Sequence, residues 1–199
     1  GAMLSSIASR AAAAELTGME FASGIPGSLG GAVVMNAGAY GGEMKDILQK
    51  VTVLTPDGTV QTLSVEELEL SYRHSIIPEK GYLVISAVLK LQPGNADEIQ
   101  SIMDDLKEKR VSKQPLEYPS AGSTFKRPEG YFAGKLIQDA GLRGFRVGGA
   151  QVSEKHCGFI INRDWATSTD ICQLMQQVSE IVYEKFGVRL EPEVKKIGE

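Results

Sequence analysis

The stretch GIPGSLGGAVVMNAGAYGGE, residues 24–43, is dense in glycine and carries a single charged residue, Glu43. Its spacing, G-x-x-G-x-x-G-G, is neither the G-x-G-x-x-G of a Rossmann turn nor a Walker loop, which needs Lys-Ser/Thr after its last glycine. Such a backbone turns tightly and can approach a ligand closely, offering N–H groups to phosphate oxygens. Tight packing of strands and turns would explain the same glycines, so composition alone leaves both interpretations open.

Strands and helices alternate on both sides of this stretch. Before it, LSSIASRAAAAEL (residues 4–16) is rich in alanine and predicts a helix that ends near Gly18. After it, KVTVLT and TVQTL flank the turn sequence PDG at residues 56–58 and predict a β-hairpin. YLVISAVLKL (residues 82–91) is apolar on both faces, which predicts a strand at the centre of its sheet.

Two further segments predict amphipathic helices with recognisable ends. Asn95 or Asp97 can cap the first helix, and the basic sequence KEKR suits its C-terminal end. Residues 167–170 match a capping box that opens the second helix, which Gly187 ends. The apolar positions that predict the buried faces are Ile99, Ile102, Met103 and Leu106 in the first helix, and Ile171, Leu174, Met175, Val178, Ile181 and Val182 in the second.

Length and composition indicate a globular protein with one large domain or two small ones. The chain has 199 residues, of which 42% are apolar. A stretch with proline and glycine, residues 114–130, predicts a subdomain boundary near residue 113. The opening sequence GAM (residues 1–3) is typical of a scar left by protease cleavage of an expression tag, so we exclude it from the fold prediction.

Charge and cysteine content argue against several classes of partner. The formal net charge is −4 and the charges are scattered, which disfavours nucleic acid or a membrane surface as a partner. Cys157 and Cys172 form neither a C-x-x-C motif nor a disulfide framework, and we expect no metal site and a cytoplasmic location. No apolar run approaches the roughly 18 residues that span a bilayer, and no signal peptide pattern occurs.

Three distant motifs follow the glycine-rich stretch in order: SYRHS (residues 71–75), AGSTFKRP (121–128) and LEPEVKKIGE (190–199). Together the four motifs closely resemble the UDP-N-acetylenolpyruvoylglucosamine reductase family, over essentially the whole chain from Leu4. The resemblance implies FAD as cofactor and NADPH as reductant. It also implies reduction of UDP-N-acetylglucosamine enolpyruvate, a UDP-sugar enolpyruvyl ether, to UDP-N-acetylmuramate in peptidoglycan precursor synthesis.

The resemblance also implies an α+β fold. Residues 4–112 would form part of the second FAD-binding subdomain, and residues 113–199 an α/β substrate-binding subdomain with a C-terminal return segment. The family has a preceding flavin-binding subdomain with another glycine-rich loop, and nothing of that kind precedes Leu4. We therefore expect a chain that lacks half of the flavin pocket. The alternatives are a non-catalytic UDP-sugar-binding fragment and a related flavin oxidase-type protein; the sequence does not predict the oligomeric state.

Three residues match catalytic positions of the family. Arg73 suits a carboxylate clamp, because a guanidinium binds a carboxylate bidentately and stays charged. Ser123 matches the proton donor, and Glu193 matches a third position that can polarise or position the intermediate. Without the motifs, each residue has a simpler interpretation. Arg73 would be an ordinary surface arginine, Ser123 a serine in a turn, and Glu193 with Glu191 part of a solvated turn.

The resemblance extends to binding positions. Lys113, Lys126 and Tyr72 are the candidate substrate contacts, although Lys113 is equally typical of a solvated helix end. Arg127 replaces an asparagine of some relatives, so we transfer no role to it. His74 lies beside Arg73 and is not itself a required motif position, and we expect a structural or pocket-rim role for His156. The candidate cofactor contacts are Gly24, Ile25, Pro26, Gly27, Ser28, Gly30, Gly31, Asn36, Ala37 and Gly38.

Overall fold

The computed structural model describes residues 1–198, so Glu199, the last residue of the C-terminal motif, lies outside the described residues. The chain divides into two compact units, Gly1–Arg110 and Val111–Glu199. Both units mix helix and sheet, which confirms the predicted fold class. The two units meet between Arg110 and Val111. The boundary that we predicted, between residues 112 and 113, lies two residues C-terminal to that point.

The described residues form eleven strands, six α-helices and one 3-10 helix, Glu20–Ala22. The helices are α1 Leu4–Ala13, α2 Leu29–Val34, α3 Met44–Ile47, α4 Ala96–Lys113, α5 Ala133–Asp139 and α6 Ser168–Phe186. The strands are β1 Leu16–Thr17, β2 Gly38–Ala39, β3 Gly42–Glu43, β4 Leu48–Leu54, β5 Val60–Ser64, β6 Leu83–Leu89, β7 Gln92–Pro93, β8 Ser120–Ser123, β9 Arg146–Val147, β10 Ala150–Val152 and β11 Phe159–Asn162.

The main sheet of the first unit has three antiparallel strands in the order β5-β4-β6. The predicted hairpin is confirmed, because β4 and β5 flank a turn in which Gly58 has a φ of +86°. The prediction of β6 as a central strand is wrong, since β6 pairs with β4 on one side and forms the sheet edge within the described residues. Accordingly Leu83 is 67% exposed and Ile85 55% exposed. The apolar residues on both faces of β6 therefore did not predict that β4, and not β6, is the central strand of this sheet.

The first helix is shorter than its alanine-rich sequence predicts. α1 ends at Ala13, three residues before the end of the predicted segment. Glu15 adopts a φ of +57°, and its carbonyl accepts a hydrogen bond from Gly94 N at 2.8 Å. Leu16 and Thr17 then pair with residues 92–93 in a small antiparallel ladder. Pairing with a distant segment therefore overrides local helix propensity here.

The second unit is built around an antiparallel sheet in the order β8-β11-β10-β9. Helix α6 begins with the predicted capping box and ends at Gly187 with a φ of +70°. The predicted stripe of α6 is buried at Leu174, Met175, Val178 and Val182, and half-buried at Ile171 and Ile181. This stripe packs into a core with residues from α5, β10 and β11.

Helix α4 begins as predicted but buries less of its apolar face. Asn95 Oδ1 accepts hydrogen bonds from the backbone N–H groups of Asp97 at 2.9 Å and Glu98 at 3.1 Å, which confirms Asn95 as the cap. Ile99 is buried, whereas Ile102 is 47% exposed. The predicted apolar face is therefore only partly covered.

Candidate functional site

The glycine-rich stretch begins as an exposed loop held at both ends. Leu4 N donates to Gly27 O and Leu29 N donates to Ala2 O, each at 2.9 Å, so residues 2–4 pair with the loop. Gly27 has a φ of +134°, a conformation that side chains other than glycine rarely adopt. Ser28 then caps α2, its Oγ accepting from Gly31 N at 3.2 Å.

Some of these glycines are required by internal packing. A Cβ at Gly38 would lie 2.7 Å from Gly42 O, and a Cβ at Gly42 would lie 2.7 Å from a ring carbon of Phe21. Both positions belong to the tight β2–β3 hairpin. Packing of the backbone against its own neighbours therefore explains Gly38.

Packing does not explain the two glycines in the first turn of α2. A Cβ at Gly30 would lie 3.6 Å from Val84, and one at Gly31 would lie 3.5 Å from Ser28 Oγ, which are ordinary contacts. Each glycine costs a helix interior roughly 1 kcal/mol relative to alanine. Glycine is thus unfavourable here and sterically unnecessary within the chain. The loop fits a cofactor laid against its backbone, because the chain itself fills neither position.

Asn36 joins the glycine-rich stretch to the SYRHS motif. It is fully buried with a φ of +41°. Its Nδ2 donates to Glu43 Oε2 at 2.7 Å and to Ser71 O at 3.0 Å, while its Oδ1 accepts from Lys45 N at 2.9 Å. Its side-chain amide therefore bonds within the protein, and the cofactor contact at Asn36 stays a prediction.

Arg73 lies in a tight turn next to this stretch. Ser71 and His74 exchange backbone hydrogen bonds of 3.2 Å across the turn, and Arg73 has a φ of +55°. The half-buried guanidinium donates to Gly38 O at 3.5 Å and lies 5.0 Å from the ring centroid of Tyr72, which is 50% exposed. His74 Nδ1 is 3.7 Å from Glu79 Oε1. The structure thus brings the glycine-rich stretch and Arg73 together within the first unit.

In the second unit, the segment after Ser123 pairs with the C-terminal motif. Glu193 N donates to Thr124 O at 2.9 Å, and Lys126 N donates to Glu191 O at 2.8 Å. Ser123 ends β8, is exposed, and makes no side-chain hydrogen bond with residues 1–198. The pairing therefore brings Glu193 next to the residue that follows Ser123.

The lysine candidates have different surroundings. Lys126 Nζ forms an ion pair with Glu191. Lys113 is exposed at the last residue of α4. Arg127 stacks on the ring of Phe132, with 4.6 Å between the guanidinium carbon and the ring centroid.

His156 and Cys157 are neighbours in the second unit. Burial, and to a lesser extent the charge of Lys113, lowers the pKa of His156. Its Nδ1 accepts from Gly158 N at 3.1 Å, which fits a neutral ring, and the ring meets Phe159 edge-on at 5.0 Å. Cys157 is buried in the core of the second unit, and this burial raises the pKa of its thiol.

Two kinds of feature are absent from the described part of the chain. Residues 1–198 contain no group of three or more His, Cys, Asp or Glu side chains that could hold a metal ion. Within the same residues, every helix is too short or too polar to cross a membrane.

Arg110 lies beside the glycine-rich loop and is not among the residues that the sequence singled out. A Cβ at Gly24 would lie 3.4 Å from its Cδ and Nε. In the sequence it is the last residue of KEKR, where nothing distinguishes it from an ordinary basic helix end. Only the packing of α4 on the loop identifies it.

Comparison with protein families gives two matches. Residues 114–197 match the family described as UDP-N-acetylenolpyruvoylglucosamine reductase, C-terminal domain. Residues 1–64 match the family described as FAD binding domain. The two matches fall mainly in the second and the first unit, respectively.

Individual relatives agree with these matches. The chain is 66% identical over its whole length to UDP-N-acetylenolpyruvoylglucosamine reductase of Agathobacter rectalis, and spans 63% of that protein. It is 58% identical over its whole length to the protein of the same name from Caldanaerobacter subterraneus, and spans 66% of it. The crystal structure of UDP-N-acetylenolpyruvylglucosamine reductase from Thermus caldophilus superposes with a TM-score of 0.85 at 39% identity, covering 98% of this chain and 70% of that one.

Proposed function

Because the chain belongs to the UDP-N-acetylenolpyruvoylglucosamine reductase family, we propose that it serves the FAD-dependent, NADPH-using reduction of UDP-N-acetylglucosamine enolpyruvate to UDP-N-acetylmuramate. This reaction supplies peptidoglycan precursor synthesis, and we propose that it takes place in the cytoplasm. The observation that carries the proposal is the pairing of residues 124–126 with residues 191–193, which joins the two motifs that hold Ser123 and Glu193.

We assign FAD to the loop of residues 24–31 and the first turn of α2. The room for a side chain at Gly30 and Gly31 supports this assignment, because glycine at these positions lets a ligand approach the backbone closely. Bound there, FAD would supply hydride transfer from NADPH to one alkene carbon of the substrate. The chain's own task is to hold the cofactor and the substrate, and to supply the proton that completes the reduction.

Arg73 is the proposed clamp for the substrate carboxylate. Hydride addition at one alkene carbon builds negative charge on its neighbour, which carries the carboxylate and the ether oxygen. A fixed guanidinium stabilises that charge as it develops. The contacts of Arg73 with Gly38 O and with the ring of Tyr72 support this role, since they restrict its side chain.

Ser123 is the proposed proton donor, and Glu193 is the proposed positioning group for the intermediate. A serine hydroxyl is a weak acid, so it transfers a proton only to a strongly basic carbanion held directly against it. The exposure of Ser123, and the lack of a side-chain hydrogen bond to residues 1–198, leave its hydroxyl available for this transfer. Glu193 does not serve as a second donor when it is ionised.

Lys113, Lys126 and Tyr72 are the proposed contacts for the nucleotide sugar. Lysine ammonium groups pair with phosphate oxygens as point charges. Lys126 is bound to Glu191 in this structure, so substrate phosphate would compete with that carboxylate. Lys113 has no such competitor among its hydrogen bonds and ion pairs in residues 1–198.

The test separates the two half-reactions by stopped-flow absorbance of the flavin. We expect Ser123→Ala to leave flavin reduction by NADPH unchanged, and to slow reoxidation by the enolpyruvyl substrate by about 10²–10⁴-fold, the usual contribution of a general acid. Ser120→Ala, in the same strand, is the matched control and should change neither rate.

The outcomes distinguish the proposals from one another. Equal loss in both half-reactions would refute the assignment of Ser123. Binding of the UDP-sugar without any flavin reduction would instead support the non-catalytic binding fragment as the function of this chain.

A further inference from the structure

The turn that carries Arg73 has an unfavourable backbone conformation. Arg73 has a φ of +55°, which residues with a side chain rarely adopt, so its surroundings must hold it there. Ser71 and His74 close the turn with two backbone hydrogen bonds of 3.2 Å, one in each direction. Bonds within the turn set its shape, but only contacts with other segments set where the Arg73 guanidinium lies.

Two side-chain hydrogen bonds tie the two ends of this turn to the glycine-rich stretch. At one end, Asn36 Nδ2 donates to Ser71 O at 3.0 Å. At the other end, Ser75 Oγ donates at 2.7 Å to the carbonyl of Val34, the last residue of α2. Asn36 and Ser75 are 0% and 1% exposed, and polar side chains so deeply buried need hydrogen-bond partners within the protein.

The amide of Asn36 is fixed in one orientation. Its Oδ1 accepts from Lys45 N at 2.9 Å, and its Nδ2 donates to Glu43 Oε2 at 2.7 Å as well as to Ser71 O. Because the acceptor faces an N–H group and the donors face two oxygens, a flipped amide would lose all three bonds. The φ of +41° at Asn36 is one that asparagine tolerates better than most residues. Asparagine therefore suits this position through both its backbone and its side chain.

Asn36 also reaches a second segment that contacts Arg73. The guanidinium donates to Gly38 O at 3.5 Å. Gly38 pairs with Glu43 between β2 and β3, and the Glu43 carboxylate accepts from Asn36. The one amide thus bonds both to the turn that carries Arg73 and to the strand pair that its guanidinium contacts.

We propose that Asn36 and Ser75 are positioning residues for Arg73, because they fix the two ends of its turn and so hold the guanidinium where it binds the substrate carboxylate. This inference rests on the proposed function, since it takes Arg73 as the carboxylate clamp. A bidentate guanidinium–carboxylate pair is directional, so displacement of the turn weakens the pair even though the charge of Arg73 is kept. The sequence assigned no role to Ser75 and only a cofactor contact to Asn36.

The test is a double-mutant cycle, measured by the binding of two ligands to the 199-residue chain. UDP-N-acetylglucosamine enolpyruvate carries the carboxylate, and UDP-N-acetylglucosamine lacks it. We expect Asn36→Gly, which tolerates the positive φ, to leave the binding of UDP-N-acetylglucosamine unchanged. It should weaken the binding of the enolpyruvyl ligand about tenfold, roughly the effect of losing one hydrogen bond to a charged group. In the Arg73→Ala background the same substitution should alter neither affinity, because a positioning residue has no effect without the group that it positions.

Two further variants complete the design. Val51→Ala is the matched control for lost stability, since Val51 is fully buried in the core of the first unit. It should lower the thermal midpoint and leave the preference between the two ligands unchanged. Ser75→Ala covers the case in which Asn36→Gly does not fold. We expect it to weaken the binding of the enolpyruvyl ligand about threefold, within the range for one neutral hydrogen bond.

The outcomes separate this inference from the proposed function. A loss for Arg73→Ala but not for Asn36→Gly, or not for Ser75→Ala where Asn36→Gly does not fold, overturns the inference and leaves the clamp intact. Equal loss for both ligands, or a loss from Asn36→Gly that persists in the Arg73→Ala background, also overturns the inference.

The remaining outcomes concern the cofactor and the clamp. Weaker FAD binding by Asn36→Gly, with an unchanged preference between the two ligands, overturns the inference in favour of the predicted cofactor contact. An unchanged preference in Arg73→Ala contradicts the clamp itself and, with it, the inference. Binding of neither ligand to the unmodified chain has the same consequence.

Discussion

Gly31 and Gly38 belong to the same glycine-rich stretch but differ in what would surround a side chain. At Gly38 a Cβ would lie 2.7 Å from a backbone oxygen, a distance that real Cβ atoms essentially never show. At Gly31 the nearest atom would be the Ser28 hydroxyl at 3.5 Å. The fold therefore requires Gly38, whereas the packing of the chain leaves room for a side chain at Gly31.

A pair of alanine substitutions tests this distinction. Gly31→Ala should keep or raise the free energy of unfolding by up to about 1 kcal/mol, because alanine favours the helix, and should weaken FAD binding at least tenfold. Gly38→Ala should lower the free energy of unfolding by about 1–3 kcal/mol, because the added methyl overpacks the hairpin. Urea unfolding and FAD titration of both variants provide the measurements. Tight FAD binding by Gly31→Ala would contradict the cofactor assignment of the loop.

At the scale of single residues, sequence motifs identified candidates but not their surroundings. The SYRHS motif singled out Arg73, yet its contact with Gly38 O joins residues 35 positions apart. Asn36 was assigned to the cofactor, and the structure uses its amide to bind Ser71 O and Glu43. These contacts depend on chain crossings that no local pattern specifies.

At the scale of elements, the N-terminus of α6 is set by hydrogen bonds between neighbouring residues. Thr167 Oγ accepts from Asp170 N at 3.1 Å, and Thr167 N donates to the Asp170 carboxylate at 2.9 Å. Two hydrogen bonds with Thr167 hold the pKa of Asp170 below its usual value. The bond from the Thr167 backbone contributes more, and the bond with the Thr167 side chain contributes less. All the residues involved lie within one turn, so the sequence predicts this end correctly.

Thr167→Ala tests the contribution of the cap to the second unit. We expect a loss of about 1 kcal/mol in the free energy of unfolding, the usual cost of removing an N-cap hydroxyl. Thr169→Ala, exposed in the first turn of the same helix, is the control and should cost less. Thermal unfolding followed by circular dichroism provides the measurement, and equal midpoints for the two variants would count against the cap.

The strand β6 shows the limit of element-scale prediction. Its apolar residues predict a strand, and that prediction is confirmed. Its position in the sheet depends on which other strands pair with it, and that choice is made by segments distant in sequence. The hydrophobic pattern alone therefore predicted that β6 is a strand, but it did not predict the position of β6 in the sheet.

At the scale of the whole molecule, each unit has its own hydrophobic core. One core draws its buried residues from positions 4 to 77, and the other from positions 125 to 190. Leu68 and Leu174 are both fully buried, one in each core. These two leucines allow the stability of each unit to be perturbed separately.

Leu174→Ala should cost about 2–5 kcal/mol, the range for removing a buried leucine side chain. Hydrogen exchange followed by mass spectrometry should then show lost protection in β8, β10, β11 and α6, with protection retained in β4 and β5. Leu68→Ala is the matched control and should give the opposite pattern. Loss of protection in both units for both variants would mean that the two cores unfold together.

Four features could be predicted from the amino-acid sequence alone: the mixed helix and sheet fold, the hairpin around residues 56–58, the caps at Asn95 and Thr167, and the family. These features depend on residues a few positions apart, or on motifs that can be recognised in the sequence without a structure. Three features became visible only in the folded chain: the edge position of β6, the pairing of residues 124–126 with 191–193, and the contact of Arg110 with Gly24. Each of these joins segments that are distant in sequence, and their packing is set by the cores of the two units rather than by local periodicity.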